Sequence, residues 1–384
     1  MSTYRITEFG VRPDGKTINT EKIQKAIDTC YKNGGGRIIF QPGIYKTGTI
    51  FLKSNVELYL ENGSKIIGSE SLNDYKELDA EGFIMEKIEP KKEITKNALI
   101  IAVDSENLGI TGSGEINGSG LSFYKDYYKK PEIPRPRIVM FYNCKNVFFE
   151  GISFVNSACW TIWLMKCENI NIHKVKICGD RRMRNIDGID VDSCKNVVIS
   201  DCIMDTQDDC IAVRCIKQFY KEEVSCENIT VSNCILKTDC NGIRIGCPSD
   251  GEIKNCVFKN LIIEGTRGII FQFPKVYLLE NSKGCANVHD ILFSNVIIES
   301  KLNPIWITVE EGIKLERISD INFSNIKIIK SGGPLTIEGN SETEIHNISF
   351  NNLEMENFSD NSIICRNCKN ILFNNVKLNN SQKK

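Results

Sequence analysis

From Asn146 onward the hydrophobic and polar positions recur in one template. It runs Asn or Asp, an aliphatic residue (once Cys), any residue, a large apolar residue, and then a second short apolar strand two or three positions later. The template starts at Asn146, Asn169, Asn196, Asn228, Asn255, Asp290, Asp320, Asn347 and Asn370, spacings of roughly 23 to 35 residues. Three positions on stand Phe149, Ile172, Ile199, Val231, Phe258, Phe293, Phe323, Phe350 and Phe373, which predict one inward stack. A second polar row, Asn233, Asn260, Asn295, Asn325, Asn352 and Asn375, is expected to be buried at a tight bend. Cys144, Cys167, Cys194 and Cys226 precede four of the starts and read as buried thiols. Rows of identical residues at one register are what a solenoid needs, because each coil buries its face only against the neighbouring coils. The expected fold is all-β, a single-stranded right-handed parallel β-helix, its hand following the general preference of parallel crossovers.

Earlier residues follow the same logic more loosely. Ile23, Ala26, Ile27 and Cys30 fall at helical spacing, with Asn19 or Thr20 as N-cap and Gly34–Gly36 as the stop. Residues 19–34 therefore predict one amphipathic helix covering the N-terminal strand edges. Segments 70–97 and 121–137 do not fit the coil and read as long loops, the second carrying Tyr124, Tyr127 and Tyr128. The repeat implies one domain over residues 1–384, not the two that length alone allows.

Composition narrows the function. A formal net charge of −1 with 25% charged residues gives no electrostatic reason to expect nucleic acid or an anionic membrane as partner. The start of the chain lacks the basic-then-apolar pattern of an export signal, and no apolar run reaches membrane-spanning length, so a cytoplasmic location is expected. The oligomeric state is left open. The 17 Cys show no paired CxxC spacing of a zinc site; Cys365 and Cys368 form a lone pair.

The chemistry concentrates in Asn185–Arg214. In the stacked register Ile189, Ile211, Ile243 and Ile270 form one inward row, and two positions before them stand Asp187, Asp209, Asn241 and Gly268. Asp187 and Asp209 are then expected on neighbouring strands, with Asp208 projecting beside Asp209. Like charges so close raise the pKa of at least one of them, an arrangement kept for chemistry or for a cation. Glycoside hydrolysis suits it, one carboxyl giving a proton to the leaving oxygen while another activates water; inversion places the two about 6.5–9.5 Å apart. A calcium site is the competitor.

At these residues the chain resembles glycoside hydrolase family 28, the polygalacturonase family of the pectin-lyase-like solenoids. Asn185–Asp190 (NIDGID) is similar to its N-T-D-G motif and Gln207–Val213 (QDDCIAV) to its G/Q-D-D motif, and the likeness extends over the N-terminal cap and first coils. It implies Asp208 as the general acid, with Asp187 and Asp209 holding and deprotonating the attacking water, and no metal or cofactor. The family's G-H-G motif falls on Cys240–Gly242, so its His is Asn241. The R-I-K motif falls on Ile270–Gln272, which removes both basic residues that address a galacturonate carboxylate. Asn241, Gln272 and an apolar face from Phe271 with Phe273 then suggest a less charged sugar there than plain polygalacturonan offers.

Arg181, Arg182, Arg214 and Arg244 lie near the acids. Arg214 neighbours Asp192 in this register, as ion pair or substrate clamp; Arg182 is a candidate sugar contact, and Arg244, with no acid alongside, is the favoured one. Trp160, Trp163 and Trp306 are candidate sugar platforms, at least one of them buried by the alternation. His173 and His289 show no partner acid and are expected to be structural. The expected activity is inverting, exo-acting hydrolysis of pectin-derived or related oligosaccharides. The alternatives are a calcium-dependent polysaccharide lyase and a non-catalytic carbohydrate-binding β-helix.

Overall fold

The computed structural model describes residues 2–84, 95–129, 134–275, 285–358 and 362–379. Parts of both long segments named above, 85–94 and 130–133, lie outside them. Among the described residues the strands pair in parallel with strands one coil away, apart from the short antiparallel pair of Lys76–Glu77 with Asn97–Ala98, giving the right-handed parallel β-helix. The chain divides into two compact units: most of it up to Asp190 with Asp201–Gln207, and Val191–Ser200 with the chain from Asp208 onward.

In the first unit each coil contributes short strands to three faces. Gly36–Phe40, Val56–Leu60, Glu106–Gly112, Lys145–Glu150 and Glu168–His173 pair in succession on one. Asn97–Val103, Arg137–Tyr142 and Ile162–Met165 pair on another, and Glu115–Asn117, Ser153–Val155, Lys176–Cys178 and Ile203–Thr206 on the third. The helix Thr20–Lys32 buries Ile23, Ala26, Ile27 and Cys30 as its spacing predicts. Asn19 holds the N-cap position without capping, because its side chain binds the backbone of Arg12 and Thr17 instead. Gly35 follows the helix at φ 99°, where a Cβ would lie 2.3 Å from the Asn55 carbonyl oxygen, so only glycine fits.

In the second unit two faces run together into strands of 12 to 15 residues, such as Glu252–Gly265, Asn287–Ser300 and Arg317–Ser331. They bend at the template Asn and Asp residues, which adopt left-handed backbone: Asn255, Asn260, Asn295 and Asn325 have φ of 54–55°. These residues are exposed, contrary to the expected buried row. Their amides stack in the open, Asn260 Nδ2 donating to Asn233 Oδ1 at 3.0 Å, Asn295 to Asn260 at 3.1 Å and Asn325 to Asn295 at 3.0 Å. The bend turns the side chain outward, and each amide is satisfied by the coil before it. Beneath them the phenylalanine stack forms as expected, with the rings of Phe258, Phe293, Phe323, Phe350 and Phe373 nearly parallel and their centroids 4.6–5.0 Å apart.

The inward row differs from expectation by one residue. Ile211 faces Ile243, and Ile243 faces Ile269 instead of Ile270. A one-residue slip moves every side chain of that strand to the opposite face. The histidines also have acid neighbours that linear reading missed: His173 Nδ1 lies 3.3 Å from Asp201, and His289 lies 2.6 Å from Asp290 and 3.3 Å from Glu252. All 17 Cys are free, and the row Cys144, Cys167, Cys194 and Cys226 is buried.

Phe323 sits between Phe293 and Phe350 with no exposure. Truncating it leaves a cavity that the rigid ladders on either side cannot close, so Phe323→Ala is expected to cost about 3–5 kcal/mol. Urea unfolding followed by circular dichroism measures it; a loss under about 1 kcal/mol would mean that the stack contributes little to stability.

Candidate active site

Asp208 and Asp209 belong to the second unit, in the bend between Thr206 and the strand Ile211–Arg214. The coil that follows fixes this bend. Thr238 Oγ1 donates to the Asp208 carbonyl at 2.6 Å, Cys240 N–H donates back to Thr238 Oγ1 at 2.8 Å, and Cys210 N–H donates to the Asn241 carbonyl at 3.0 Å. Neighbouring in sequence, the two carboxylates differ in surroundings. Asp209 is 2% exposed and both its oxygens have donors: Arg244 Nη1 at 3.2 Å on Oδ2, and Asn241 Nδ2 on Oδ1. Asp208 keeps part of its surface open to solvent, and its Oδ1 accepts the Asp209 N–H at 3.0 Å. Burial first, and then the charge of Asp209, push the Asp208 carboxyl above the ordinary carboxylate range, against weaker opposition from the Cys240 thiol and Arg244.

Arg244 therefore has an acid after all. It lies across the coil from Ala212 as expected, but its reach carries it to Asp209, and its other amino group donates at 2.8 Å to Gln272 Oε1 and Cys247 Sγ. Burial opposes its charge, and Asp209 foremost, then Cys247, Cys240 and Asp208, more than restore it. Gln272 thus joins the network by orienting Arg244. Phe271 does not join it: the ring is fully buried, edge-on to Phe293 at 6.0 Å, and Phe273 is 4% exposed, so the expected apolar sugar face is part of the core. Arg214 is 2% exposed, and Asp192 is fully buried with Ser193 Oγ donating to its Oδ1 at 2.8 Å.

Cys240 is a member of the site that the sequence did not single out. Its thiol donates to Asp208 and receives Asn241 Nδ2 at 3.2 Å. Burial, then Asp209 and Asp208, push that thiol far up, so it stays protonated. Ligand atoms of Asp208, Asp209 and Cys240 lie within 4.8 Å of one another. A hard cation such as calcium takes six to eight oxygens, and two carboxylates with a protonated thiol do not supply them. Arg244 already brings a positive charge to Asp209.

Asp187 belongs to the first unit and is 3% exposed, its carbonyl accepting Thr161 N–H at 3.0 Å. Asn185, before it, takes left-handed backbone at φ 57° and is held by Gln207 Oε1 on its N–H at 3.1 Å and by Arg135 Nη2 on its Oδ1 at 3.2 Å. Arg135 also donates to the Tyr124 hydroxyl at 2.7 Å and to the Arg184 carbonyl at 2.7 Å, so Tyr124 is a buried pin; only Tyr127 and Tyr128 of the tyrosine cluster are exposed. Arg137, 1% exposed, lies over the rings of Trp160 at 4.8 Å and Trp163 at 4.5 Å. Burial pulls its pKa down while Cys159, Asp190 and Asp187 push it up. Trp163 is fully buried, with Phe83 of the 70–97 segment at 6.3 Å. Arg182 is paired with Asp180 at 2.6 Å and covers the Tyr127 ring at 4.6 Å.

Residues 65–311 match the model of glycosyl hydrolases family 28. An exopolygalacturonase of Arabidopsis thaliana is 28% identical over 351 residues, covering 85% of this chain and 72% of its own. A probable polygalacturonase of Vitis vinifera is 28% identical over 217 residues, 54% of this chain; the matched stretch spans 43% of the Vitis protein's length. Among solved structures, a hyperthermoactive exopolygalacturonase from Thermotoga maritima shares the fold, with a TM-score of 0.80 over 98% of this chain and 92% of the other at 24% identity. No helix among the described residues is long and apolar enough to cross a membrane. The matched stretch contains Asp187, Asp208 and Asp209, and by that match the chain belongs to glycosyl hydrolases family 28.

Proposed function

We propose that this protein hydrolyses a glycosidic bond in pectin-derived or related oligosaccharides, acting with inversion from a chain end on short fragments in the cytoplasm. The observation that carries this reading is the divergence of two adjacent carboxyls: Asp208 raised by burial and by its neighbour, Asp209 fastened by Arg244 and Asn241. A carboxyl held above its ordinary range suits the task of giving a proton. Asp208 gives its proton to the leaving oxygen as the bond to the anomeric carbon breaks. The attacking water adds its oxygen to that carbon and gives up a proton to a carboxylate. Both oxygens of Asp209 are engaged by donors, which suits it to hold a water or a charge and not to attack the sugar itself. Asp187 enters as partner in that task through its motif.

Exo-action is supported within the first unit by Phe83, which lies 5.2 Å from Tyr142 and near Trp163 and so covers strands on coils before Asp187. Ile270 and Gln272, where the family carries cations, favour a substrate other than plain polygalacturonan.

Asp208→Asn keeps the shape and removes the proton, so turnover should fall by about 10²–10⁴-fold; turnover within a few-fold of the parent excludes Asp208 as the acid. The same variant has a thermal signature. The folded chain holds a proton on Asp208 that the unfolded chain has released, so ionisation of this group costs stability as pH rises from about 3.9, the ordinary value, through the raised one. Asp208→Asn should therefore raise the melting temperature at neutral pH and give no gain below about pH 3.5. An equal gain at both pH values would assign it to something other than ionisation.

Product sizing over time on a defined oligomer, with the first anomer read by NMR, tests the mode of action. Steady shortening from one end with inverted configuration is expected. Early products of intermediate length exclude exo-action, and retained configuration excludes the water-first mechanism.

A further inference from the structure

The last coil of the second unit carries two thiols where the coil before it carries core. Cys365 faces Ile337 and Cys368 faces Ile345; both isoleucines are fully buried, so the two thiols hold inward positions. Among the described residues the strands Ile363–Arg366 and Cys368–Asn379 each pair on one side only, with the coil before them. Their inward positions are therefore open, and Cys365 is exposed and Cys368 half-buried. In the preceding coil residues 338–344 separate the two isoleucines, whereas only Arg366 and Asn367 separate the cysteines. Asn367 turns this short bend with left-handed backbone at φ 45°. The coil before it holds the bend in place: Gly339 N–H donates to the Arg366 carbonyl at 3.1 Å, Ile345 N–H donates to the Asn367 carbonyl at 3.3 Å, and Arg366 pairs with Glu338 at 3.2 Å.

The bend brings the thiols into hydrogen-bond contact, Cys365 donating toward Cys368. Burial first, and then Cys368, push the Cys365 thiol up to about 11. Burial raises Cys368 as well, but the bond from Cys365 favours its thiolate. Thiol exchange runs through the thiolate, so Cys368 is the better nucleophile of the two. The other cysteines lack this combination: Cys178 and Cys285 are exposed but stand in different units, Cys240 serves Asp208, and the rest are buried. Two thiols fall short of the four ligands that zinc takes, and among the described residues no third ligand atom of a His, Cys, Asp or Glu completes a cluster with them within 4.8 Å.

We propose that Cys365 and Cys368 are a redox-active dithiol, which a small disulfide oxidant converts reversibly into a bridge across the last bend. The Cys368 thiolate attacks one sulfur of the oxidant, the oxidant's S–S bond breaks, and one thiol leaves. Cys365 then attacks the Cys368 sulfur of the mixed disulfide, the second thiol leaves, and the bond between Cys365 and Cys368 closes. The pair is oxidised by two electrons, the oxidant is reduced by two, and the two protein protons end on the two released thiols. The bridge ties together the two strands of a coil that is covered on one side only, which is where a ladder opens most easily. The pair takes no part in the saccharide chemistry proposed above.

Equilibrating the whole folded chain with reduced and oxidised glutathione at graded ratios, followed by acid quench, alkylation, digestion and mass spectrometry, tests the assignment. Cleavage after Arg366 puts the two cysteines on separate peptides, so a bridge joins them. Joined peptides should appear at ratios that leave the other cysteines alkylated, and excess reduced glutathione should separate them again. Hydrogen exchange over residues 363–379 should slow about tenfold in the bridged form, near the lower end of what a cross-link over a short loop contributes. Cys365→Ser should arrest the reaction at a glutathione adduct on Cys368, and Cys368→Ser should form its adduct on Cys365 more slowly. Alkylation of both cysteines at ratios that oxidise others, adducts on both without a bridge, an equal or faster adduct on Cys365, or exchange that the bridge leaves unchanged overturns the assignment.

Discussion

The parallel hydrogen-bond ladder between successive coils is the constraint on which the rest depends. Within each unit it holds equivalent residues of neighbouring coils about 4.8 Å apart, so whatever stands at one register position becomes a row. Aromatic rings at that spacing can only stack, and Phe258 to Phe373 do. Side-chain amides at the same spacing can only bond one another, and the Asn rows do so on the surface, where the left-handed bend would otherwise leave them without structural purpose. Asn suits that position for two reasons: it tolerates positive φ and offers both a donor and an acceptor along the coil axis.

Asp208 and Asp209 stand side by side in the chain, and buried like charges are costly unless countered. The chain answers with guanidinium groups taken out of water. In the second unit Arg244 lies against Asp209 and is oriented by Gln272. In the first unit Arg137 lies over two indole rings, with Asp187 and Asp190 among the charges that favour its protonated form. Asp208 feels Arg244 only as a weaker opposing influence, and burial raises it. A fixed cation on Asp209 and a displaced proton on Asp208 are two sides of one electrostatic arrangement.

The sequence by itself determined the coil, because a solenoid writes its register into the chain: the phenylalanine row, the buried cysteine row, the helix Thr20–Lys32 and the two acid motifs were all legible as recurrences or as spacing. It also marked Asp208, Asp209 and Asn241 as members of one site, since rows are one-dimensional and these residues obey them. What only the tertiary structure decided were contacts that leave the row. Arg244 reaches sideways to Asp209, Cys240 turns toward Asp208, and His173 and His289 meet Asp201 and Glu252 from other coils, none of which spacing encodes. The Asn rows read as buried because their periodicity matches that of the core; periodicity gives the register, while the sign of φ decides the face. Phe271 and Arg267 show the sharpest limit. A shift of one residue between Ile269 and Ile270 is invisible in an apolar run, where either fits the template, yet it returns Phe271 to the core and brings Arg267 into the row of Asp209, because along a strand adjacent residues point to opposite faces.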